Sequence, residues 1–130
     1  MPYLLLIVER GGRRSASEHE ARRKYELMMR FKADLQTRGV HVASESLRPD
    51  AEGVRVEVRG GKRLLSDGPF AESKEMVGGF FLLCCASKEE AIALATECPA
   101  SAWATVEVRE VAPCWSPDDA VDGRPSARPV

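Results

Sequence analysis

The sequence predicts a mixed α+β fold made of two successive strand–helix–strand units with a β-hairpin inserted between them. Three observations carry the prediction. Residues 3–8 and 79–85 are short, almost wholly apolar runs of strand length. Apolar residues recur at helical spacing from Ala21 to Leu35, and again from Ala91 to Ala95. Val54, Val56 and Val58 alternate with charged residues and run into Gly60-Gly61, the pattern of a strand entering a tight hairpin. The chain of 130 residues is long enough for one core and too short for two.

Each element has its own signals. Tyr3-Leu4-Leu5-Leu6-Ile7-Val8 reads as a first strand, apolar on both faces, and Gly11-Gly12 opens a polar loop through Arg14. Ser17 followed by Glu20 fits a capping box, as does Ser15 with Glu18. Ala21, Tyr25, Met28, Phe31 and Leu35 then form the stripe of a long helix, which Arg38-Gly39 closes. Lys32 interrupts that stripe, and its simplest reading is a stem lying along the core edge with its ammonium in water. Residues 40–43 predict a short strand, 48–50 a turn, 54–59 a half-exposed strand, and 63–65 the returning strand of the hairpin. Residues 66–77 read as a loop. Residues 79–85 make another strand apolar on both faces, Ser87 and Glu90 cap a short helix that stops before Pro99, and 103–111 form a last strand with Ala104, Val106 and Val108 inward. From Ala112 on, half of the eight prolines fall in nineteen residues without periodicity. This divides the chain into a domain at 1–111 and an irregular tail at 112–130.

Two strand–helix–strand units in tandem make a ferredoxin-like βαββαβ sandwich, an antiparallel sheet with both helices on one face. Helices cover only one face, yet residues 3–8 and 80–85 offer large side chains to both. A lone copy would leave an apolar patch in water. The sequence therefore predicts a homodimer packed sheet against sheet, a dimeric α/β-barrel.

Composition narrows the function. Nineteen basic and twenty acidic residues give a net charge of −1, which argues against a general attraction to nucleic acid or an anionic membrane. No apolar run approaches the roughly 20 residues of a spanning helix, and residues 3–8 lack a basic leader and cleavage site, so the expected location is the cytoplasm. The four cysteines form no Cys-x-x-Cys pair and are not spaced with His19 or His41 as ligands, so no metal is expected and the thiols read as buried and inert.

The densest motif is Asp67-Gly68-Pro69-Phe70-Ala71-Glu72-Ser73-Lys74-Glu75, followed by Gly78-Gly79-Phe80-Phe81-Leu82-Leu83. This stretch resembles the DGPF branch of the YCII-related family, small bacterial proteins. The likeness also takes in the opening Tyr3-Leu4-Leu5-Leu6-Ile7, the Gly39 turn and the closing Val106-Glu107-Val108-Arg109. It implies the dimeric α/β-barrel fold and, because such proteins are often encoded beside extracytoplasmic-function sigma factors, a link to transcriptional regulation. The wider family carries a histidine in the long helix, proposed to pair with an aspartate as an active site. Here that position falls at Leu27 or Met28, so the pair does not carry over.

The residues of the motif admit two readings. In one, Asp67 caps a turn, Phe70 plugs the core, and Glu72 with Lys74 or Glu75 forms a solvated cluster. In the other, Asp67, Gly68, Pro69, Phe70, Glu72 and Lys74 shape a cleft for a small polar ligand, Phe70 inserting inward to fix the corner. Asp67 and His41 are the candidate acid–base groups. The functional classes left open are a cofactor-free enzyme and a non-catalytic ligand-binding or regulatory module. An RNA-recognition domain is excluded, because Phe80 and Phe81 are adjacent rather than alternating and no basic residue leads them.

Overall fold

The computed structural model describes residues 1–10, 17–70 and 75–112. Within them the chain runs β1 (Pro2–Arg10), α1 (Glu18–Thr37), β2 (His41–Ser46), β3 (Val54–Arg59), β4 (Lys62–Asp67), β5 (Glu75–Cys84), α2 (Lys88–Glu97) and β6 (Thr105–Glu110). Short 3₁₀ turns lie at Asp50–Glu52 and Pro99–Ala102. The main sheet has the order β2-β5-β1-β6, every pair antiparallel, while β3 and β4 pair only with each other. The two apolar strands are thus the central pair of a ferredoxin-like sandwich, with the hairpin inserted before β5.

Local chemistry sets the helix starts as the sequence predicts. The Ser17 hydroxyl accepts the Glu20 N–H at 3.1 Å, and the Ser87 hydroxyl accepts the Glu90 N–H at 3.1 Å. Glu90 reaches back to accept the Ala86 N–H at 2.9 Å, one residue earlier than the standard box. Gly39, at φ 76°, ends α1 in the left-handed region. Gly60 and Gly61, at φ 55° and 79°, supply the two positive angles that a two-residue hairpin turn needs.

One face of the sheet carries the core. Tyr3, Leu5, Ile7, Phe81 and Leu83 pack against Phe31 and Leu35 of α1 and Ala91, Leu94 and Ala95 of α2. Phe31 meets Phe81 edge to face, centroids 5.2 Å apart. The other face presents Leu4, Leu6, Phe80 and Leu82, neighbours across β1 and β5 and all half-buried.

Several details differ from expectation. Both ends of the 66–77 stretch are strand rather than loop: Ser66 and Asp67 end β4, and β5 begins at Glu75. The hairpin is exposed at every position rather than half-exposed, because no other described element packs along it. Ile92 of α2 faces out. Cys84 is exposed, while Cys85 and Cys98 are buried and their thiol pKa values are pushed up by burial. The region 113–130, with Cys114, lies outside the described residues.

Candidate functional site

The apolar stripe of α1 divides into two halves. Phe31 and Leu35 are buried, but Tyr25 is 65% exposed and Met29 42% exposed. Between the N-terminal half of the helix and the sheet lies a cleft of about 1150 Å³. Ala21, Lys24, Tyr25, Met28, Met29 and Lys32 line its helical wall, positions that share one face at the 3.6-residue period. Ile7, Ser44, Ser46, Gly79 and Phe81 line it from the sheet, Pro49–Ala51 and Pro69 with Phe70 from the opposite side, and Ala100 and Trp103 from beside α2.

The turn after β4 is held by close packing. The Gly68 N–H donates to the Gly53 carbonyl at 2.9 Å, and a Cβ on Gly68 would run into the Asp50 carbonyl oxygen. Gly68 is needed for space, not for a left-handed conformation, since it is absent from the positive-φ residues. The Gly68–Pro69 bond is cis. The Asp50 N–H points at the Met76 sulfur at 3.4 Å, which fastens the 3₁₀ turn to β5. Phe70 is half-buried rather than a core plug: its ring lies beneath the Arg55 guanidinium, 3.8 Å from the centroid, and forms part of the cleft wall.

The described motif residues do not all meet at the cleft. Pro69 and Phe70 line the cleft, whereas Asp67 is exposed at the end of β4, paired with Val54, and neither it nor Gly68 lines the cavity. Glu72 and Lys74 lie outside the described residues. His19 is exposed at the start of α1. His41 is half-buried, and its Nε2 shares a 2.8 Å hydrogen bond with the Ser44 hydroxyl. Ser44 is only 9% exposed and lines the cleft, so a side chain not singled out in the sequence connects His41 to the cavity. Nothing in the local sequence announced it. A register shift between His41 and Ala43 brings both side chains to the core face.

The charges of the cleft are unequal in their surroundings. Lys24 pairs with Glu20 at 3.4 Å and sits 5.1 Å from the Trp103 ring centroid. Lys32 is half-buried and has no hydrogen-bond or ion-pair partner among the described residues. Glu9, Glu45 and Asp50 also line the cavity. Among the described residues no three His, Cys, Asp or Glu side chains gather in a way that could hold a metal ion. No described helix is long and apolar enough to cross a membrane.

Comparison with known proteins adds two findings. A model of the YCII-related domain matches residues 1–115. An uncharacterized protein of Rhizobium meliloti (strain 1021) is 39% identical over 51 residues, a segment that covers 39% of this chain and 41% of that protein.

Proposed function

The chain belongs to the YCII-related domain family, and from that premise we propose that it is of the DGPF branch and binds a small polar molecule in the cleft between α1 and the 67–70 turn. One observation carries the reading: Ala21, Tyr25 and Met28 of the apolar stripe of α1 line an open cavity, and Tyr25 stays exposed there. Its lining combines apolar and aromatic walls with a few polar groups, the usual makeup of a ligand site. A thermal-shift screen of small metabolites should find at least one that stabilises the protein. Narrowing the cleft by Met28→Trp or Ala21→Trp should abolish that stabilisation. A ligand whose effect survives both substitutions would contradict the reading.

A second reading, cofactor-free turnover, is favoured by the Ser44–His41 hydrogen bond at the cleft wall. A histidine in this position can exchange a proton with a hydroxyl that reaches the cavity. The regulatory alternative, a module tied to extracytoplasmic-function sigma-factor transcription in the cytoplasm, rests on the likeness of residues 67–75 alone.

The partner proposed for the outer sheet face is a second copy of this chain. Leu4, Leu6, Phe80 and Leu82 form its apolar centre, and Glu107 and Arg109 its rim. A rim with both charge signs can match itself across a two-fold axis. The hairpin supports the same occupant. Val54, Val56, Val58 and Leu65 share one exposed face, and an isolated two-stranded ribbon is marginal in water.

A further inference from the structure

The charge pattern of the cleft identifies the kind of ligand it suits. Lys32 stands at the C-terminal end of the lining stripe, with Met28 and Met29 one turn before it. Lys24 pairs with Glu20, Arg38 with Asp34 and Glu97, and Arg48 with Glu52, while Arg23 and Arg30 of the same helix also lack a partner among the described residues but are exposed and do not line the cleft. Lys32 has none among the described residues, although Glu9, Glu45 and Asp50 line the same cavity. The Lys32 side chain is half-buried along the cleft wall and its ammonium has no protein counter-ion among the described residues, so a bound anion could pair with it without displacing one. An anion entering the cleft would supply that missing partner.

The rest of the lining sets the shape of such a ligand. Lys24 and Lys32 are eight residues apart, about 12 Å along a helix at ~1.5 Å per residue. Tyr25 and Met28 lie between them on the wall, and Trp103 closes the far end beside Lys24. We infer that the cleft takes an amphipathic organic anion, its carboxylate or sulfonate on Lys32 and its apolar or aromatic body laid along Met28 and Tyr25 toward Trp103. This rests on the reading of the cleft as a small-molecule site and adds the chemical class of the ligand.

The test uses the full chain and two probes of matched body, 8-anilinonaphthalene-1-sulfonate and the neutral N-phenyl-1-naphthylamine, titrated by fluorescence. The anion should bind about tenfold or more tightly than the neutral probe, as expected for one charge-assisted contact. That preference should shrink as salt is raised, vanish in Lys32→Met and return in Lys32→Arg. Suppose both probes bind and Ala21→Trp or Met28→Trp weakens them, but the preference is absent or survives Lys32→Met. The anion assignment is then overturned while the cleft remains a binding site. Suppose instead that neither probe binds, or that binding ignores both tryptophan substitutions. Then the small-molecule reading fails and the assignment fails with it.

Discussion

At the residue scale, the motif after β4 is chiefly an architectural device. Gly68 permits the approach of the 3₁₀ turn, and any side chain there meets backbone that has no room to give. Gly68→Ala should therefore cost at least about 1–3 kcal/mol, the range for overpacking, read as a fall in the urea midpoint with an unchanged slope. Phe70→Ala should cost roughly 1–2 kcal/mol, below the ~3–5 kcal/mol of a fully buried phenylalanine, because its ring is half-buried between Arg55 and the cleft. His41→Ala strands a hydroxyl that is 9% exposed, and such a loss costs about 1–3 kcal/mol. Adding Ser44→Ala to it should recover part of that loss. The thiols offer a further check. A disulfide reagent under native conditions should modify Cys84 but leave Cys85 and Cys98 untouched until the protein unfolds, since burial raises both of their pKa values.

At the scale of elements, the sequence predicts what each segment is better than what it packs against. Periodicity and capping boxes locate α1 and α2, and the doubly apolar runs identify the two central strands, because these signals are local. The cleft was not legible in the same way. Tyr25 and Met28 recur at the spacing of Phe31 and Leu35, and the same stripe results whether a helix covers a core or walls a cavity. Lys32, interrupting the stripe, is the one local hint, and a place on the cleft wall is compatible with its reading as a stem with a solvated ammonium. The hairpin shows the converse. Val54, Val56 and Val58 alternate as in a half-buried strand, yet all are exposed, Val58 at 70%. Alternation marks a face suited to burial without saying what buries it. If a second copy does, Val56→Lys should shift the protein toward monomer while leaving secondary structure by circular dichroism intact.

At the scale of the molecule, the sheet separates two surfaces. The core-side residues Ile7, Ser44, Gly79 and Phe81 border the cleft, and Leu4, Leu6 and Leu82 face the other way, while Phe80 of the outer face also borders the cleft. Association and ligand binding should therefore be separable. Light scattering at micromolar concentration should return a dimer for the full chain, and Leu6→Lys should give a monomer that still binds cleft ligands. A stable monomer of the unaltered chain would refute the dimer. Among the described residues the core cluster draws on residues 3–108, and a chain ending at Ala112 should also fold. Amide chemical-shift mapping of the full chain against a fragment library tests the central claim most directly. The account predicts perturbations concentrated on Ala21, Lys24, Tyr25, Met28 and Lys32, on Ser44 and Gly79, and on the Trp103 indole. Shifts confined to Leu4, Leu82 and the hairpin, or no reproducible shifts with any fragment, would contradict it.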